Sequence, residues 1–123
     1  MLSEQEELAV EIVDRWTANH KKSMATFVIL VALSNRPMWS KQLEKWLREV
    51  IGWELTERGL HRILHKMNSS GLVEFQKTSS PKSGAGRKIY KITSFGSTVA
   101  NSFKESGLSY LQNDEFSKLL RKL

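Results

Sequence analysis

The 123-residue chain has no cysteine, which excludes a disulfide scaffold and a thiolate nucleophile and is compatible with the cytoplasm. Histidine occurs only at His20, His61 and His65. The last two have the i, i+4 spacing of a helical zinc site. Between them stands Arg62-Ile63-Leu64, however, without the glutamate of H-E-x-x-H and without an obvious third ligand. No metal and no cofactor is therefore expected, and with no carboxylate pair set for acid–base work the chain does not read as an enzyme. Long apolar runs are missing too. The longest, through Phe27 to Leu33, is far too short to span a bilayer. Glu4, Glu6 and Glu7 stand where a signal peptide would be positive and then apolar. A cytoplasmic protein without membrane contact is the expectation. The run Ser83-Gly84-Ala85-Gly86-Arg87-Lys88 is not a phosphate-binding P-loop, because it lacks the G-x-x-x-x-G-K-[ST] pattern and no helix follows it directly.

The remaining composition is that of an ordinary globular protein, with 40% apolar and 26% charged residues. This length fits one domain with its own core. No internal repeat and no low-complexity segment is visible. The net charge of +6 is distributed unevenly. Residues 1–35 carry five acids and three bases (−2), residues 36–91 twelve bases and five acids (+7), and residues 92–123 four bases and three acids (+1). A basic excess confined to the middle of a chain is the electrostatic footprint expected for a phosphate backbone.

Hydrophobic periodicity and cap signals divide the chain into elements. Ser3 with Glu6 forms a capping-box signature, and Leu8, Ile12 and Trp16 follow at helical spacing. A first helix is predicted over Ser3–Thr17, with the polar stretch Asn19–Ser23 breaking it. Met24–Leu33, apolar on nearly every side, is predicted as a buried second helix that Asn35-Arg36-Pro37 ends. Ser40 is the expected cap of a third helix with Leu43, Trp46, Leu47, Val50 and Ile51 on one face, closed by Gly52. Trp39 and Trp53 flank that helix and are read as closing a hydrophobic corner. Thr56 is the expected N-cap of a fourth helix and Gly71 its left-handed C′ residue. Strands follow at Leu72–Thr78 and Arg87–Thr93, joined by a small polar loop, Ser79–Gly86. Thr93 is read as the cap of a further helix bearing Phe95, Val99 and Phe103, and Asn113 as the cap of a terminal stripe of Phe116, Leu119, Leu120 and Leu123. The fold class is mainly α with a small β-hairpin (α+β). The third and fourth helices form a helix-turn-helix and the hairpin forms its wing. The chain reads as one winged-helix domain over residues 1–123, with an N-terminal helix at 1–22, a core at 23–106 and a helical tail at 107–123.

At about 100° per residue the fourth helix separates into two faces. Leu60, Ile63, Leu64 and Met67 fall together and are assigned to the core. Arg58, Arg62, His65 and Ser69 lie opposite, flanked by His61 and Lys66. Two arginines near the start of an exposed helix suit the major groove, where each can donate two hydrogen bonds to guanine O6 and N7. Arg58, His61, Arg62 and His65 are therefore candidates for base-edge or nearby phosphate contact. Ser40, Lys41, Thr56, Lys82, Arg87 and Lys88 are candidates for backbone contact, with Lys82 at the wing tip and Arg87-Lys88 at its exit. The expected partner is double-stranded DNA.

Residues from about Phe27 to Glu105 resemble the PadR-like winged-helix transcriptional regulators. The match is carried by Gly59-Leu60 through Leu64 and Met67, by Gly71-Leu72-Val73-Glu74, and above all by Gly86-Arg87-Lys88-Ile89-Tyr90-Lys91-Ile92-Thr93 with Gly96. The resemblance implies a homodimer, paired through terminal helices, that represses or activates transcription. Within that group a circadian period-extender type of repressor is one reading. The family often carries an aromatic–proline pair where this chain has His61-Arg62, which adds charge and leaves operator sequence and ligand response open. The rival reading is a winged-helix adaptor that binds an acidic protein. Preference among DNA duplexes separates the two, since both are salt-sensitive.

Overall fold

The computed structural model describes residues 1–78 and 86–123. It opens with one long helix, α1 (Glu4–Asn35). Its start is fixed by the predicted capping box: Glu6 N donates to Ser3 Oγ at 3.1 Å, and Ser3 N to Glu6 Oε2 at 3.2 Å. The expected break at Asn19–Ser23 does not occur; those residues are helical. They include neither glycine nor proline, and Asn, His, Lys and Ser each cost less than about 0.7 kcal/mol in a helix interior. Propagating an existing helix is far easier than nucleating a second one. The helix stops where Arg36 turns extended (φ −163°, ψ 155°) ahead of Pro37.

A two-residue strand follows, β1 (Met38–Trp39), and leads into α2 (Ser40–Trp46). Ser40 is not the cap of α2 but its first helical residue. Trp39 holds the cap position in extended conformation, and its N–H donates to Gln42 Oε1 at 3.1 Å. The chain then widens into a π-turn over Leu47–Ile51, closed by Gly52 at φ 85°. Leu43 and Leu47 are buried and Trp46 is half-buried, but Val50 and Ile51 are exposed, against expectation. The i→i+5 spacing of the turn, with Gly52 N donating to Leu47 O at 2.9 Å, takes them off the buried stripe.

The expected fourth helix is α3 (Glu57–Ser69). Thr56 caps it by accepting from Gly59 N at 3.0 Å, and Gly71 follows its C-terminus at φ 79°. Strands β2 (Val73–Thr78) and β3 (Arg87–Ile92) pair antiparallel from Val73↔Ile92 to Thr78↔Arg87. β1 adds to the other edge of β3 through Met38↔Tyr90 and Trp39↔Ile89, giving sheet order β1-β3-β2. The last segments are α4 (Ser94–Ser102), a second π-turn (Phe103–Gly107), a 3-10 turn (Ser109–Gln112) and α5 (Asp114–Arg121). Thr93 and Asn113 cap α4 and α5 as predicted.

The core lies where the second half of α1 crosses α2, α3 and the sheet. Ile29, Leu30, Leu43, Leu60 and Leu64 have no exposed surface. Met38, Val73 and Tyr90 close the core from the strands, and burial pushes the Tyr90 phenol above the ordinary tyrosine range. By contrast, every residue of α1 from Glu4 to Trp16 is exposed, and no residue of α5 is buried. Among the described residues no helix is long and apolar enough to cross a membrane.

Candidate nucleic-acid interface

The phase assigned to α3 agrees with its packing. Leu60, Leu64 and Met67 are buried and Ile63 is packed against them, while Arg58, His61, Arg62, His65 and Ser69 are exposed. The buried stripe is anchored in the core, so the opposite face stands out as a rigid ridge carrying guanidinium and imidazole donors. Among the described residues neither Arg58 nor Arg62 is engaged in an ion pair. Both forks are thus available to a bidentate acceptor such as a guanine edge or a phosphate.

One flank of the ridge faces the wing across a cleft of about 270 Å³ lined by Trp39, Ser40, Glu57, His61, Gly86, Arg87, Lys88 and Tyr90. The structure thus brings together four residues read separately from the sequence: Ser40, His61, Arg87 and Lys88. It also puts an acid among them. His61 Nε2 is 3.9 Å from Glu57 Oε1, a pair that carries attraction only when the imidazole is protonated. Glu57 sits in the first turn of α3, where a carboxylate complements the helix dipole.

Arg87 and Lys88 both line this cleft, but their side chains leave β3 on opposite faces. Successive strand residues point to opposite faces, and each cation rests on a different ring. The Arg87 guanidinium lies 4.2 Å from the centroid of Trp39, and the Lys88 ammonium 4.6 Å from that of Phe75. Contacts of this kind contribute about 0.5–1 kcal/mol at exposed sites and hold the long side chains in place. The Lys91 Nζ, by contrast, is 3.1 Å from Glu74 Oε1, in keeping with their cross-strand register.

The Thr56 hydroxyl spends its acceptor on Gly59 N and keeps its own proton to donate outward. Gly59 has no room to spare, since an added Cβ would lie 3.0 Å from Thr56 Oγ1. Lys41 is exposed on the first turn of α2. Lys82 lies outside the described residues.

Two features of the site are hidden in the sequence. Trp39, which reads as part of a corner, is a strand residue and the platform for Arg87; a two-residue strand is too short to show alternation. Lys21 and Lys22, which read as part of a helix break, line the other flank of α3 together with Arg62 and Lys66. Their charge is visible in the sequence, but their position depends on α1 being continuous.

A three-helix unit whose third helix is followed by a β-hairpin is a winged helix-turn-helix. The chain belongs to the PadR-like family of transcriptional regulators, whose family model matches residues 29–102, more than half of its length. Among solved structures it is similar to a PadR-family transcriptional regulator from Eggerthella lenta (20% identity, 93% of this chain and 96% of that one, TM-score 0.73). A PadR-like transcriptional regulator from Bacillus cereus aligns with 24% identity over 83% of this chain and 96% of its own, with a TM-score of 0.66. PadR of Bacillus subtilis, solved in complex with operator DNA, aligns with 18% identity over 65% of this chain and 45% of its own, with a TM-score of 0.60. No curated protein matches the chain.

Proposed function

We propose that the chain is a sequence-selective, double-stranded-DNA-binding transcription repressor that works as a homodimer in the cytoplasm. The observation that carries this reading is the α3 ridge. Arg58 and Arg62 stand exposed and, among the described residues, unpaired on a helix whose opposite face is locked into the core, with ring-supported cations on the wing beside it. The operator complex of the Bacillus subtilis relative supports the choice of duplex DNA as partner. In this reading Arg58, His61, Arg62 and His65 meet base edges or adjacent phosphates. Ser40, Lys41, Thr56, Lys82, Arg87 and Lys88 meet the sugar–phosphate backbone. Repression follows from a bound dimer obstructing polymerase at the operator.

The dimer is supported by apolar surface left uncovered in the protomer. Leu8, Ile12, Val13 and Trp16 on α1 are each about half exposed or more, as are Leu119 and Leu120 on α5. A two-fold axis through such faces makes an isologous interface. It would place two α3 ridges on half-sites about 34–36 Å apart.

Selection of bound duplexes from a random pool tests the proposal. Enrichment of a palindrome with that spacing is the expected result. Binding of all duplexes alike, at any salt concentration, would overturn it.

A further inference from the structure

The flank of α3 away from the wing is also cationic. A groove of about 520 Å³ runs between α1 and α3. Its rim carries Lys21 and Lys22 from α1 and Arg62 and Lys66 from α3, while Ala25, Leu55 and Ile63 form an apolar floor. Gly59 contributes no side chain there. Among the described residues no carboxylate lines the groove, and none of its four cations is in an ion pair. The core holds the two helices in this relation, since Ala25 and Ile29 of α1 and Leu60 and Leu64 of α3 are all buried.

We infer that this groove receives the sugar–phosphate backbone of one operator strand, while the wing meets the other. The inference rests on the DNA-binding reading above and adds residues to it. An α-helix with its side chains is about 10–12 Å across and the major groove about 12 Å wide. A ridge that enters the groove therefore fills it, and a phosphate strand lies against each flank. Arg87 and Lys88 serve the wing flank. Lys21, Lys22 and Lys66 serve the other, with deoxyribose carbons on the apolar floor. Arg62 stands at the boundary, on the ridge and on the rim at once. These contacts are blind to sequence. They set the position of α3 in the groove and strengthen binding to every duplex alike.

The test compares the full chain with a Lys21→Gln/Lys22→Gln double variant, using the best duplex from the selection and a scrambled one. Removing one lysine–phosphate pair lowers the salt slope by about 0.9 and removing both by about 1.8, so between 50 and 200 mM salt the wild type should weaken roughly twelvefold more than the double variant. The ratio between the two duplexes should not change, and hydroxyl-radical protection should disappear on one strand of each half-site while the other strand of that half-site stays protected. Lys21→Arg/Lys22→Arg should restore both readouts, which separates charge from folding. An unchanged slope and footprint, with Lys88→Gln lowering both, would overturn the inference and leave DNA binding intact. So would binding of a free nucleoside triphosphate that needs Lys21 and Lys22 while duplex affinity does not. Absence of duplex binding by the wild type would instead count against the proposed function itself.

Discussion

The Thr93 hydroxyl donates to the Gly71 carbonyl oxygen at 2.6 Å across 22 residues of sequence. Its own oxygen, Thr93 Oγ1, accepts from Gly96 N at 2.9 Å, and Thr93 N donates to Leu72 O at 3.1 Å. One residue therefore caps α4 and ties the end of α3 to the base of the wing. The angle between α3 and the wing is set at this junction.

Removal of that hydroxyl should loosen all of these parts together. Thr93→Ala is expected to cost about 1–2 kcal/mol, the usual effect of deleting a helix cap, and Thr93→Ser to recover most of it. Thermal unfolding monitored by circular dichroism checks this. A variant as stable as the wild type would mean that the backbone bond alone holds the junction.

Among the described residues, Gly96 is the glycine whose replacement should do most harm. An added Cβ would collide with the Leu72 carbonyl oxygen and lie 2.9 Å from Ile92 Cγ1, both on the strand side of α4. Gly96→Ala should destabilise by roughly 1–3 kcal/mol as an overpacking change against backbone. Gly107→Ala meets nothing within 4 Å and should stay within about 0.5 kcal/mol of wild type. Urea titration of the pair supplies the comparison, and equal stabilities would contradict this packing.

On DNA, the ridge and the wing should fail in different ways. Arg58→Ala is expected to cost about 1–3 kcal/mol on the preferred duplex and to relax preference at one base position. Lys88→Gln should weaken all duplexes alike and lower the salt slope by about 0.9. Competition titrations with a set of single-base variants distinguish them. The opposite pattern would exchange the roles of helix and wing.

Association should depend on side chains that are idle in the protomer. Trp16 is 63% exposed and stacks on His20, with ring centroids 5.0 Å apart. Trp16→Ser or Leu119→Ser should leave the helix content unchanged. Each should raise the dimer dissociation constant by an amount typical of an interface anchor, about 2 kcal/mol or more. Sedimentation velocity over a concentration series measures this, and a dimer indifferent to both substitutions would have to use another surface.

What is legible in the sequence is mostly local. The caps at Ser3, Thr56, Thr93 and Asn113 are readable because a side chain bonds a backbone group within three residues. The two faces of α3 are readable from phase alone. Features that depend on distant partners are not. β1 exists because Met38 and Trp39 find Tyr90 and Ile89, some fifty positions away. Val50 and Ile51 are exposed because the chain leaves α-geometry after Leu47, a choice that no apolar pattern records. The candidate site is legible as separate pieces, but the cleft joining Ser40, His61, Arg87 and Lys88 needs the sheet to bring β1 and β3 beside α3. At Asn19–Ser23 polar character reads as a break, although polarity sets which side of a helix meets water and leaves the helix intact.

The unbroken α1 behaves as a shaft, so length and rotation along it are inseparable. It carries Leu8, Ile12 and Trp16 at one end and the core residues Ile29 and Leu30 at the other. One residue inserted near Asn19 would turn the apolar stripe by about 100° relative to the body, whereas four would bring it back to within about 40° and move it outward by about 6 Å. A loop in this place would have absorbed such changes. The helix makes them phase errors, which ties the number of residues between stripe and core to the direction in which the stripe faces.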